Sequence, residues 1–257
     1  MNDFLFDIFG FAALPVAAAI IGAVIAAFRP PGAKIRSVLQ HFAAGVVFSV
    51  VAVELLPDVM KEHNAVATSI GFALGVAIML GIKKLTGESK EESNDENGAT
   101  AGSAAEEKEE KIEPISFSML AGIGVDVLID GFLLGIGFAA GAKEGKLLAF
   151  ALTVELLSLG LAMASTMAQG GTPRLKIILI TAALSLLIFV GAGLGATVLQ
   201  HVSSETLEAV LSFGLAALLF LVTEELLIEA HEVPETPLIT SAFFAGFLLF
   251  LILGMVG

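Results

Sequence analysis

The chain has 257 residues, is 56% apolar, and carries a mean hydropathy of +0.93 and a formal net charge of −13. Its apolar residues fall in blocks of about 20, the length that crosses a bilayer as a helix, where a soluble domain spreads them in short periodic stripes. The absence of Cys excludes disulfides, thiolate ligands and redox motifs; there is no basic patch for nucleic acid and no GxxxxGK[ST] element for nucleotide binding.

The first apolar block begins without a positively charged stretch before it, so it is expected to be a retained helix, not a cleaved signal. Eight spans follow in order: 4–28, 37–57, 65–82, 115–141, 147–168, 176–199, 207–228 and 238–256. Breaks such as Arg29-Pro-Pro-Gly32, Gln169-Gly-Gly-Thr-Pro-Arg174 and Val233-Pro-Glu-Thr-Pro237 separate several of them. Trp and Tyr are absent, which leaves Phe alone for the interfacial aromatic belt. The fold class predicted is an all-α integral membrane protein of eight transmembrane helices forming one domain. Its helices 1–3 lie in 4–82, an acidic loop in 83–114, helices 4 and 5 in 115–168, and helices 6–8 in 169–257. The loop, with ten of the 26 acids between Glu88 and Glu113, has almost nothing to bury and is expected to be a disordered, solvated spacer.

Orientation follows from Lys and Arg. With loops assigned alternately to two sides, one side holds Arg29, Lys34, Arg36, Lys83, Lys84, Lys90, Lys108, Lys111, Arg174 and Lys176. The other holds Lys61, Lys143 and Lys146. The richer side is cytoplasmic by the positive-inside rule, which puts both termini outside, loop 83–114 inside, and the chain in the cell membrane as a multi-pass protein.

The chain repeats itself. A shift of 171 residues lays helices 2 and 3 on helices 7 and 8: Phe42 meets Phe213, Glu54-Leu-Leu-Pro-Asp58 meets Glu225-Leu-Leu-Ile-Glu229, Phe72 meets Phe243 and Gly75 meets Gly246. Helices 2 and 7 cross in opposite directions in this topology, so the repeat is inverted, a recurring plan among transporters with a midplane site. A fainter shift of 29 pairs Asp126 with Glu155 and Gly131 with Gly160.

Six acids interrupt apolar stretches that contain no Lys or Arg: Glu54, Asp126, Asp130, Glu155, Glu224 and Glu225. Each costs roughly 2.5–3.5 kcal/mol at a bilayer centre, so each is either hydrogen-bonded as a neutral acid or met by a cation. Asp126 and Asp130, four apart, share a face of helix 4 among glycines spaced for close helix approach. Glu155 and Ser158 of helix 5 converge with them if the two helices pack antiparallel. Such hard oxygen donors suit divalent cations, Mn²⁺, Mg²⁺ or Fe²⁺, and accept Zn²⁺. Glu224 and Glu225 point about 100° apart on a helix, and Glu225, the repeat partner of Glu54, is the one expected inside. Asp58, Glu229, His41, His63 and His231 lie near helix ends, where an interfacial role competes with a place on an ion path.

These residues resemble a known family. Helix 2, His41-Phe-Ala-Ala-Gly45 through Val53-Glu-Leu-Leu-Pro-Asp58, is similar to the second helix of ZIP (Zrt/Irt-like) metal-ion transporters, and Thr223-Glu-Glu-Leu-Leu-Ile-Glu-Ala-His231 resembles their seventh. The resemblance implies a 3+2+3 inverted arrangement, a dinuclear site between helices 4 and 5, uptake of zinc, manganese or iron into the cytoplasm as substrate, and no prosthetic group. The chain departs from the family pattern at the site. Helix 4 of the family reads His-Asn-x-x-Glu/Asp-Gly; here Asp126-Val-Leu-Ile-Asp130-Gly131 replaces His by Asp126 and Asn by Val127. Helix 5 reads His-x-x-x-Glu-Gly; here Glu155 replaces the His and Leu159 the acid. On helix 6, Ser185 is the nearest polar group to the position of a frequent Glu. The departure leads to the expectation of one all-oxygen ion site made by Asp126, Asp130, Glu155 and Ser158. Glu54, Glu225, Asp58, Glu229, His41 and Ser185 are expected along the path.

Two other readings compete. A chain with stripped ligands could be a non-transporting scaffold or metal sensor. An intramembrane aspartyl protease would use two membrane aspartates, but Gly122-Ile-Gly-Val-Asp126 is one residue too long for a GxGD motif, and Asp130 shares the helix of Asp126. No enzymatic activity is therefore expected. Partners are divalent cations and the lipid bilayer, without nucleic acid. Faces of small residues serve internal packing or a homodimer equally well.

Overall fold

The computed structural model describes residues 2–62, 64–91, 117–199, 204–231, 233–234 and 236–256. Among these every regular element is helical, and eight helices are long and apolar enough to cross a membrane. We number them α1 (Asn2–Phe28), α2 (Ala33–Val50, continuing through Val51–Leu55 and Leu56–Glu62), α3 (Ala65–Glu91), α4 (Phe117–Ala140), α5 (Ala142–Gln169), α6 (Arg174–Ser185 and Leu187–Leu199), α7 (Ser204–Phe220, continuing through Leu221–Leu226 and Leu227–Ala230) and α8 (Pro237–Val256). All eight expected spans are present. The bilayer explains the uniformity, since a buried backbone without water must satisfy its own hydrogen bonds.

The boundaries differ in two informative places. The acidic loop was expected from residue 83, but α3 continues to Glu91. Lys and Glu favour helix, and nothing before Glu91 breaks it; the rest of the expected loop, 92–114, lies outside the described residues. Helix 5 starts at Ala142, so Gly141 alone links α4 to α5 in a tight antiparallel hairpin, its extended backbone acting as the cap of α5.

The segments Val51–Leu55 and Leu221–Leu226 are π-helical. Pro57 accounts for the first: it offers no N–H to the carbonyl of Val53 and its ring crowds that carbonyl, which widens the preceding turn. It does not account for the second, where Ile228 stands at the equivalent position. Yet the two segments superpose under the shift of 171 residues, and each carries its repeat-related acid, Glu54 or Glu225.

Packing follows small residues. The most extensive contacts join α1 to α5, α4 to α6, α2 to α8 and α3 to α7. The chain direction within each pair is parallel, as Gly45 beside Phe243 and Glu54 beside Gly254 show for α2 and α8. A Cβ on Gly131 would lie 2.2 Å from the carbonyl oxygen of Ile188, and one on Gly191 2.1 Å from that of Leu128, so α4 and α6 touch backbone to backbone. Repeat-related contacts are equivalent. Gly75 abuts the carbonyl of Phe213, and Gly246 that of Phe42, positions exchanged by the same shift. Helices α2 and α7 run antiparallel, with Ser37 Oγ donating to the Ala230 carbonyl at 2.6 Å and Gln40 Nε2 to Glu229 Oε2 at 2.5 Å. The molecule is thus two four-helix groups, α1/α4/α5/α6 and α2/α3/α7/α8, in contact chiefly through α2 and α5.

Candidate metal site

The α4–α5 hairpin brings three acids together. Asp126, Asp130 and Glu155 each offer a carboxylate oxygen, and these oxygens lie within 4.8 Å of one another. Asp130 and Glu155 are buried, each 2% exposed, and Asp126 is half-buried. Two of their oxygens, Asp130 Oδ2 and Glu155 Oε2, are buried without a hydrogen-bond partner among the described residues. A buried polar atom without a partner is costly and rare; two in one cluster of like charges call for a cation or protons between them.

A cavity of about 30 Å³ adjoins the cluster, lined by Asp126, Glu155, Ser158 and Leu159 from the hairpin and by Gln40, Leu221, Glu225, Leu226 and Glu229 from α2 and α7. It is large enough for an ion or a water. A second, wider cavity of about 330 Å³ shares Gln40, Leu159 and Glu229 with it and continues past Arg36, Met119, Ala162, Thr166 and Val233. The acids therefore lead, through the Gln40–Glu229 hydrogen bond, into a vestibule at one end of the group boundary. That end carries Arg29, Lys34 and Arg36 before and within α2, and Arg174 at the start of α6. Asp126, Asp130, Glu155, Glu225 and Glu229 act electrostatically on one another. The electrostatic neighbours of the first three include no Lys or Arg among the described residues.

The remaining acids separate. Glu225 lines the cavity, whereas Glu224 faces outward and pairs with Lys83 of α3 at 2.6 Å. The apolar stretches that carry these acids hold no Lys or Arg in sequence, but Lys83 of α3 meets Glu224 in space. Glu54 is half-buried on the opposite side, against Gly254 and near Lys143. Asp58 is engaged by Lys61 at 2.6 Å at the end of α2.

His41 is buried, its Nδ1 2.9 Å from the Ser37 carbonyl and its Nε2 without a partner among the described residues. Its ring lies 5.0 Å from that of His231, whose Nδ1 contacts the Leu227 carbonyl. Both sit at the vestibule end with Glu229. His63 lies outside the described residues. Ser185 is not in the acid cavity: its hydroxyl donates to the Ala182 carbonyl at 3.0 Å, and with Val127 and Leu159 it lines a separate apolar void of about 10 Å³. Sequence reasoning missed Gln40 and Arg36. Neither carried a signal: Gln40 is an amide near the start of a span, and Arg36 had only its place in a basic loop.

The profile described as ZIP Zinc transporter matches residues 82–254. None of the curated proteins compared with the chain matches it. The profile covers α4 to α8 almost entirely, including every acid of the cluster and Glu225. With eight membrane-crossing helices and a buried acid cluster adjoining a vestibule, the chain belongs to the ZIP zinc transporter family and is a multi-pass membrane protein that moves divalent metal ions.

Proposed function

We propose that the chain carries divalent cations into the cytoplasm through one all-oxygen site formed by Asp126, Asp130 and Glu155, with Ser158 completing it and Glu225 beside it. The observation that carries this reading is the pair of buried, unpartnered oxygens within a three-acid cluster. Carboxylates without imidazole favour hard ions and discriminate little among them, so Mn²⁺, Fe²⁺ and Zn²⁺ are all substrates. Single occupancy is supported by the void behind the cluster. Where the family resemblance calls for a second ion, Val127 and Leu159 offer no ligand, and Ser185 faces the same small apolar void with no acid beside it among its lining residues.

Direction into the cytoplasm is what the family implies, and charge supplies only the orientation. The vestibule opens at the end bearing the Lys- and Arg-rich loops, which is the cytoplasmic end by the positive-inside rule. The pairing of α1 with α5 and α4 with α6, and of α2 with α8 and α3 with α7, supports an inverted 3+2+3 organisation. The test is flux of Mn²⁺, Fe²⁺, Zn²⁺ and Mg²⁺ into proteoliposomes. Asp126→Ala is expected to abolish it; equal flux in variant and parent overturns the site. Metal-dependent thermal stabilisation without flux in the parent would instead favour a sensor.

A further inference from the structure

Glu54 and Glu225 are repeat-related, 171 residues apart, and each lies in a π-helical segment, yet their surroundings are opposite. Glu225 lines the acid cavity and leads toward the vestibule. Glu54 is half-buried at the far end, its Oε1 3.1 Å from where a Cβ on Gly254 would stand. The cations near the two acids also differ in origin. The cation acting on Glu225 is Lys83, which belongs to the same four-helix group and is held by Glu224 at 2.6 Å. The foremost cation acting on Glu54 is Lys143, at the start of α5 and therefore in the other group. Lys143 Nζ also donates to the carbonyl of Gly254 at 3.0 Å. That carbonyl is in the last turn of α8, where helical partners run out and the helix dipole favours a cation. One ammonium thus ties α5 to α8 across the group boundary, with Glu54 of α2 in its field, at the end opposite the vestibule.

We propose that Lys143 is a latch that holds the outer end of this boundary closed, and that its release opens a path to the acid cluster past Glu54 and Asp58. The inference rests on the transport reading above. A closed outer end with an open vestibule is one half of an alternating cycle, and the other half requires α5 and α8 to part at their outer ends. The Lys143–Gly254 bond must then break. A divalent cation arriving at Glu54 repels the nearby ammonium, so the ion that needs the path loosens the latch.

The chain has no Cys, so single introduced thiols report access directly. Ala151 is fully buried one turn outward of Glu155 on the same helix face, and Ala162 lines the vestibule. Each is replaced by Cys in a separate protein, reconstituted in vesicles without metal, and modified by a membrane-impermeant maleimide from the outer face for Ala151→Cys and from the inner face for Ala162→Cys. Adding Lys143→Ala is expected to speed modification at Ala151→Cys by about two- to fivefold, the factor one charged contact of an exposed side chain carries, and to slow it at Ala162→Cys. Lys143→Arg, which keeps the cation, is expected to stay near the parent. Unchanged rates at Ala151→Cys overturn the latch, and faster modification at both positions, the mark of general loosening, overturns it as well. Mn²⁺ flux in the same vesicles separates the two readings. Flux in the parent with unchanged labelling sinks the latch alone; the expected labelling shifts without flux support the latch and sink transport.

Discussion

Asp130 Oδ2 and Glu155 Oε2 set the chemistry at the residue scale, because a buried acceptor with nothing donating to it destabilises the fold until something cationic meets it. Metal binding is then folding stability as well. Mn²⁺ at a hundred times its dissociation constant is expected to stabilise the detergent-solubilised parent by about 2.7 kcal/mol, seen as a rise in thermal midpoint. Asp130→Asn should remove that rise. The adjacent acids Glu224 and Glu225 give a sharper contrast. Glu225 lines the cavity and Glu224 is held by Lys83 on the outer surface of α7. Glu225→Gln is expected to weaken half-saturation of Mn²⁺ uptake by about tenfold or more, in the range of changes beside a metal site. Glu224→Gln should leave it close to the parent. The acids of the cluster were legible in the sequence because charge inside an apolar stretch is expensive and therefore conspicuous. Gln40 was not, since an amide near a helix end carries no such penalty; only the arrival of Glu229 from α7 gives it a role.

At the scale of elements, glycine decides how the helices fit. A methyl on Gly191 would stand 2.1 Å from the Leu128 carbonyl, which is backbone and cannot rotate away. Gly191→Ala should therefore push α6 off α4 and cost about 1–3 kcal/mol, read as a lower thermal midpoint with metal stoichiometry unchanged. Alanine at Gly10, where no atom lies within 4 Å, is the control and should cost nothing measurable. Spans and small-residue faces were readable from sequence, because length, hydropathy and spacing by four are local properties. The π-helical turns were not. Pro57 could have announced the first, but the second has no local cause, and only the matching position of Glu54 and Glu225 under the repeat relates them.

At the scale of the whole molecule, acids from both four-helix groups face the boundary between them: Asp126 and Glu155 from one, Glu225 and Glu229 from the other. A site built across such a boundary changes access whenever the groups shift, without rebuilding its own ligands. In the arrangement seen here Ala162→Cys should be modified from the cytoplasmic face of vesicles and protected from the other. Modification from the opposite face would reverse the orientation read from Lys and Arg. Among the groups near the boundary, Arg36 lines the vestibule together with Glu229, and no local signal in the sequence marked it.

The sequence by itself determined that the chain lies in a membrane, how many times it crosses, which acids are costly enough to need a partner or a proton, and that segments of its two halves repeat. Each of these follows from hydropathy, charge and spacing along one strand of chain. Tertiary structure alone decided which oxygens converge, that Glu224 finds Lys83 while Glu225 does not leave the cavity, that the space behind the cluster is apolar, and which end of the boundary is open. Those are relations between helices far apart in sequence, fixed by rotation about helix axes and by backbone contact at glycine, and no run of residues encodes them locally.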